Sequence, residues 1–127
     1  MPEILDLLKQ VGAIITDSHI VYTSGKHGSV YINKDALYPH TELASEAGKM
    51  FAEKYKDENI EVVVAPALGG IILSQWTAHH LSAMTGKKVL GIYTEKDVTS
   101  TGSGQAPKNQ IFTRGYDKLV EGKRVLV

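Results

Sequence analysis

Apolar residues fall into distinct rhythms along the chain, and each rhythm predicts a different element. Ile4, Leu5, Leu7, Leu8 and Val11 recur at spacings of three and four, which predicts a helix over Pro2–Val11 that Gly12 ends. His19–Thr23 and Ser29–Asn33 are short β-branched or aromatic runs on either side of Ser24-Gly25-Lys26-His27-Gly28, the pattern of a hairpin. Pro39 closes an extended loop. Thr41 is placed to N-cap a helix reaching about Lys56, with Leu43, Ala47, Met50, Phe51 and Tyr55 on its inner side. Glu61-Val62-Val63-Val64-Ala65 does not alternate at all, which predicts a strand buried on both faces of a parallel sheet. Pro66 to Gly70 read as a turn, Ile71–Thr85 as a helix ending at Gly86, and Val89–Tyr93 as a second apolar strand. Strand, helix, strand is a βαβ unit with a right-handed crossover. Residues 94–110 carry no periodicity and no apolar anchor, so they are expected to form a long flexible loop. Ile111-Phe112 and Arg114-Gly115-Tyr116 follow, and Arg124–Val127 is a last strand.

Composition narrows the class. The chain has 127 residues, 43% hydrophobic and 22% charged, enough for one core and close to ordinary globular usage. Fourteen basic residues balance fourteen acidic ones, so there is no global field to favour nucleic acid or a membrane surface. With no cysteine, disulfides, thiolate nucleophiles and Cys-bound zinc are excluded. No stretch approaches the ~18 apolar residues of a membrane span, and the first residues lack a leader's apolar run. The expectation is a single cytoplasmic α/β domain over residues 1–127: a doubly wound, mostly parallel sheet with a small helix-and-hairpin hood over residues 1–38.

The turn Ala65-Pro66-Ala67-Leu68-Gly69-Gly70-Ile71 carries the clearest chemistry. It leaves the carboxyl end of a buried strand and opens a helix, where ligands bind in open α/β sheets. Successive N–H groups at a helix N-terminus favour phosphate or pyrophosphate, and two glycines allow positive φ and a close anion. The alternative is a tight βα turn with no ligand. The spacing matches neither the dinucleotide nor the P-loop pattern.

Four segments, in order, resemble the orotate phosphoribosyltransferases of the type I phosphoribosyltransferase family. Tyr22-Thr23-Ser24-Gly25-Lys26-His27-Gly28-Ser29-Val30-Tyr31-Ile32-Asn33-Lys34-Asp35 resembles their N-terminal hairpin, and Ala65–Ile71 their pyrophosphate loop. Val89–Lys96 with the polar stretch after it is similar to their strand and catalytic loop. Glu121–Val127 is similar to the strand leading into their phosphoribosyl-pyrophosphate motif. The resemblance implies transfer of ribose 5-phosphate from phosphoribosyl pyrophosphate to orotate or a related base, with release of pyrophosphate. It implies pyrophosphate bound at Ala67, Leu68, Gly69, Gly70 and Ile71, and the base met by Ser24, Gly25, Lys26, Tyr31 and Ile32. It further implies charge from Lys96 on the loop, Mg²⁺ arriving with the substrate, no protein metal ligand, and a homodimer.

Several residues depart from that pattern. Thr23 and Gly69 stand where lysines are usual, and Glu95 where an arginine is usual; the loop has no histidine. The sequence reads as an amino-terminal portion that stops before the acidic motif gripping the ribose. Asp97-Val98-Thr99-Ser100-Thr101-Gly102-Ser103 is a poor substitute, since Lys96 adjoins its single acid and no helical pattern follows. The competing reading is a non-catalytic module that binds a nucleotide or phosphoribosyl pyrophosphate in regulation; a third is an unrelated flavodoxin-like phosphate binder. His79 and His80 read as surface or packing histidines, and Trp76 as core. Lys34-Asp35 is a solvated turn pair or part of the site. Arg114-Gly115-Tyr116 either orients the returning loop or meets a phosphate.

Overall fold

The computed structural model describes residues 3–97 and 109–127, in two compact units, residues 1–44 and 45–127. In the first, α1 (Ile4–Gln10) buries Leu7 and Leu8 and leaves Ile4 and Leu5 exposed. Four two-residue strands follow: β1 (Ile14–Ile15), β2 (Ile20–Val21), β3 (His27–Gly28) and β4 (Tyr31–Ile32). They pair as two antiparallel ribbons, β1 with β4 and β2 with β3. The hairpin exists, but its register departs from the sequence reading. His19–Thr23 meets Lys26–Gly28, while Tyr31-Ile32 pairs with Ile14-Ile15, a strand too short to announce itself by periodicity. A 3₁₀ turn at Lys34–Ala36, capped by the Asn33 side chain, precedes Pro39.

Helix α2 (Thr41–Tyr55) starts in the first unit and ends in the second. Its first bond runs from the Ala44 N–H to the His40 carbonyl, so Thr41 is the first helical residue and His40 holds the cap position. The inner face is built from small residues. Ala44, Ala47, Gly48 and Ala52 are buried, whereas Phe51, expected inside, is 45% exposed. Gly48 explains the choice: a Cβ there would lie 2.5 Å from Trp76 Cβ and 2.8 Å from the Trp76 carbonyl carbon. Close approach to the next helix selects small side chains over bulky ones.

The second unit holds a four-stranded sheet, in the order β7–β6–β5–β8, formed by β5 (Val62–Pro66), β6 (Leu90–Lys96), β7 (Gln110–Ile111) and β8 (Val125–Leu126). Strand β5 is central and parallel to both β6 and β8, as the apolar runs predict. The crossover from β5 to β6 is α3 (Ile71–Thr85), which Gly86 ends at φ 69°. On one face Val63 and Val89 pack with Ala52, Ala78 and Leu81. On the other, Val62, Val64 and Ile92 meet Phe112, Tyr116 and Val120, the last on the short α4 (Asp117–Val120). Burial on both faces is the physical reason that β5 shows no alternation. Arg124 anchors β8: its N–H donates to Glu61 Oε2 and its Nε to the Glu58 carbonyl, each at 2.8 Å.

Strand β6 runs three residues further than its apolar part. Thr94, Glu95 and Lys96 continue it, and Glu95 and Lys96 pair antiparallel with Ile111 and Gln110. The Asp97 N–H donates to the Asn109 carbonyl at 2.9 Å. The polar stretch therefore opens and closes as a ribbon. The flexibility expected of it, and the Asp97–Ser103 segment beyond Asp97, lie outside the described residues. No helix among the described residues is long and apolar enough to cross a membrane.

Candidate functional site

The turn after β5 is tied to the neighbouring strand and to its own helix. The Ala67 N–H donates to the Thr94 carbonyl at 2.8 Å, Gly70 N–H to the Pro66 carbonyl at 3.0 Å, and Ile71 N–H to the Leu68 carbonyl at 3.1 Å. The side chain of Leu68 projects into solvent at 84% exposure. At least three of the five N–H groups assigned to pyrophosphate are thus engaged within the chain in this conformation. The glycines also act differently from the sequence reading. Gly70 sits at φ −84°, and Gly69 is not among the positive-φ residues. Gly70 is required by crowding instead: a Cβ there would lie 2.7 Å from both Ala65 Cβ and the Pro66 carbonyl oxygen. That contact lets α3 start directly on the end of β5.

Lys96 ends β6, two residues beyond the Thr94 that faces Pro66. The pairing brings Lys96 and Ala67–Ile71 to one carboxyl edge of the sheet. Lys96 is exposed, and its ammonium makes no ion pair among the described residues. Two cavities flank this edge. One, of about 520 Å³, lies among Val64, Pro66, Thr94, Phe112 and Val120. The other, of about 250 Å³, lies among Phe51, Tyr55, Gly70, Ser74 and Leu126. Their walls are mainly apolar, which disfavours an anion inside either cavity.

Beside Lys96 lies a cluster that sequence reasoning missed. The Glu95 carboxylate accepts from Thr113 Oγ1 and from Arg114 Nη2, the latter at 3.3 Å. The Arg114 guanidinium lies 5.6 Å from the Tyr93 ring centroid, and Tyr93 meets Tyr116 edge-on. The Glu95 charge raises the Arg114 pKa above its ordinary value. Arg114 is therefore held at the returning end of the polar stretch. Opposite charges flanking one long polar segment were the available signal. Thr94 Oγ1 and Gln110 Oε1, 2.9 Å apart, close the same ribbon.

The residues assigned to the base belong to the first unit. Ser24, Gly25 and Lys26 form the exposed turn between β2 and β3, where the Gly25 N–H donates to the Tyr22 carbonyl and Gly25 adopts φ 83°. Tyr31 and Ile32 lie on β4, 43% and 48% exposed. Tyr22 joins the ribbons: its ring crosses Gly28 so closely that a Cβ there would lie 1.9 Å from the hydroxyl, which donates to the Val30 carbonyl at 2.6 Å. Trp76 is half-buried, packed on Gly48 and stacked on His80, whose Nε2 lies 2.9 Å from Ser45 Oγ. Partial burial, with His79 beside it, lowers the His80 pKa.

A central parallel strand, a turn opening the crossover helix and a polar ribbon at the same sheet edge define the type I phosphoribosyltransferase fold. An orotate phosphoribosyltransferase structure from Aeropyrum pernix matches 84% of this chain and 56% of its own, with TM-score 0.57 and 26% identity. The Mycobacterium tuberculosis H37Rv orotate phosphoribosyltransferase complexed with Fe(III) dicitrate matches 98% of this chain and 65% of its own, with TM-score 0.58 and 18% identity. By sequence, orotate phosphoribosyltransferase of Thermoanaerobacter sp. is 30% identical over 125 residues, 98% of this chain and 57% of the relative. That of Bartonella quintana is 35% identical over 96 residues, 72% of this chain and 50% of the relative. No family model matches. The chain belongs to the phosphoribosyltransferase family as a homologue of the orotate phosphoribosyltransferases, and it spans about half the length of the curated relatives it matches.

Proposed function

We propose that this chain supplies the pyrophosphate-binding and base-binding parts of an orotate phosphoribosyltransferase, acting in pyrimidine nucleotide synthesis as a cytoplasmic homodimer. The observation that carries the reading is the joining of Ala67–Ile71 and Lys96 at one sheet edge, in a chain homologous to these enzymes over nearly its whole length. The chemistry follows from charge flow. As the bond between the ribose carbon and pyrophosphate breaks, negative charge collects on the leaving group. Fixed N–H donors and an ammonium stabilise that charge more in the transition state than in the ground state. Lys96 is the cation at this edge with no ion-pair partner among the described residues, since Glu95 engages Arg114. In the first unit, the backbone near Tyr31 and Ile32, braced by Tyr22, is assigned to the base.

Magnesium belongs to this reading as the substrate's counter-ion. Among the described residues, no group of three or more His, Cys, Asp or Glu side chains converges to hold a metal. Mg²⁺ keeps several waters and is commonly held through one or two carboxylates and substrate phosphates, which supports its arriving on the substrate.

With three turn N–H groups already engaged, pyrophosphate affinity is expected to be no tighter than about millimolar, near 4 kcal/mol. Turnover by the 127-residue polypeptide is expected to be negligible. Its sequence has no acidic pair leaving a buried strand to position the ribose, and positioning contributes up to ~7–11 kcal/mol. Calorimetry with pyrophosphate and an orotate-consumption assay with phosphoribosyl pyrophosphate and Mg²⁺ test both halves. Absence of pyrophosphate binding removes the site assignment; robust turnover shows that residues of this polypeptide position the ribose. A regulatory binding module is the second reading. It is favoured by the Glu95–Arg114 pair, which leaves no net charge where the relatives' pattern has an arginine. It predicts phosphoribosyl-pyrophosphate binding well below millimolar, without transfer.

A further inference from the structure

In the first unit, two histidines converge across the β2–β3 ribbon. His27 lies in β3 opposite Val21, and His19 immediately precedes β2. His19 Nε2 and His27 Nδ1 are 2.6 Å apart, with ring centroids 4.8 Å apart and planes inclined at 42°. Both side chains are exposed. At this separation one ring donates and the other accepts, so the two nitrogens face each other across a single hydrogen bond. Two exposed imidazoles this close can ligate one cation once each ring turns to aim its lone pair to one side of the line between the nitrogens.

We propose that His19 and His27 form a two-imidazole site for a divalent transition cation, Cu²⁺ above all. The reason is geometric. A metal at ~2.0 Å from each nitrogen needs the nitrogens about 2.8–2.9 Å apart for adjacent square-planar positions, and about 3.3 Å for tetrahedral ones. From 2.6 Å, the square-planar arrangement asks for the smaller opening, roughly 0.3 Å, and an exposed ribbon supplies it. Imidazole nitrogens also order the metals: Cu²⁺ binds more tightly than Ni²⁺ or Zn²⁺, while Mg²⁺ prefers oxygen ligands. The site is therefore separate from the counter-ion of the proposed reaction. When the cation enters, it lies to one side of the line between the nitrogens and displaces the hydrogen they shared. The ring that donated carries its N–H on the opposite nitrogen by exchange with solvent, so both imidazoles remain neutral and no proton is lost. The remaining coordination positions are open to water or to a small carboxylate.

The test is titration of the full chain with Cu²⁺, followed by calorimetry and by the copper electron-spin spectrum. One equivalent is expected to bind with two equatorial nitrogens. His19→Ala and His27→Ala are each expected to weaken binding by roughly tenfold or more, since even outer-shell changes cost 10–100-fold at metal sites. His27→Gln retains a hydrogen-bonding partner for His19 but offers no imidazole; it is expected to keep the metal-free circular dichroism and thermal midpoint while losing copper. The double variant His79→Ala/His80→Ala, the other adjacent pair, is expected to bind copper as the parent does. Copper binding unchanged by His19→Ala and His27→Gln, or lost only in the His79/His80 variant, overturns the proposal.

Discussion

The two units differ in what holds them together. In the second, β5 has neighbours on both edges and apolar side chains against both faces, and the helix beside it approaches closely enough to require Gly48. In the first, no strand exceeds two residues, and Val21, Val30, Tyr31 and Ile32 are between 43% and 64% exposed. Leu7, Leu8, Ala13 and Leu37 are buried there, but its ribbons rest on individual hydrogen bonds, the Tyr22 hydroxyl to Val30 and the turn at Gly25. The difference separates two tasks. A buried sheet fixes the turn after β5 and Lys96 through backbone register, whereas the residues proposed to meet the base sit on ribbons that local bonds must define. Damage to the second unit should therefore unfold the protein, and damage to the first should loosen it locally.

The largest expected effect is at Gly48. Gly48→Ala drives a methyl into the Trp76 and Thr77 backbone and is expected to cost about 3 kcal/mol, at the upper end of overpacking penalties. Urea unfolding checks it; a change below half that figure would mean the helices part easily. Gly70→Ala comes next. Its Cβ meets Ala65 and the Pro66 carbonyl, so a loss of roughly 1–3 kcal/mol is expected together with weaker pyrophosphate binding. Stability lost with binding intact would detach the turn from the ligand. In the first unit, Tyr22→Phe removes one hydrogen bond and is expected to cost ~0.5–1.5 kcal/mol. Hydrogen exchange should quicken within residues 14–32 and stay unchanged in β5 and β6; uniform acceleration would erase the contrast between the units.

The smallest effect concerns acid. Partial burial, then the neighbouring His79, lower the His80 pKa below its ordinary 6.5. The unfolded chain then takes up the proton first, so stability is complete above pH 6.5 and falls as the pH drops through that value toward the folded pKa. His80→Gln should flatten this slope in urea midpoints measured between pH 7 and pH 5. An unchanged slope would assign it to other groups.

Legibility in the sequence follows the same division. The apolar runs of β5 and β6 and the stop at Gly86 were readable because burial on two faces and a left-handed cap leave strong local signatures. The pairing of Ile14-Ile15 with Tyr31-Ile32 was not, because two-residue strands have no periodicity and their register depends on Tyr22 reaching Val30. The inner face of α2 was misread for a related reason. Close helix approach rewards Ala and Gly, while pattern reading favours Met50 and Phe51. At the candidate site, the position of the turn after β5 was legible, but the use of its N–H groups was not. One of those bonds runs to the Thr94 carbonyl in another strand, and the other two depend on how the turn itself folds back. The Glu95–Arg114 pair was hidden likewise, since the ribbon joining its ends is held by polar residues.

The most direct test of the central claim is a pyrophosphate titration of the ¹⁵N-labelled chain, read at its backbone amides. The account predicts shifts concentrated at Ala67–Ile71 and Thr94–Lys96, saturating in the millimolar range and weakened by Lys96→Ala. Shifts absent from that sheet edge, or confined to residues 1–44, would contradict it.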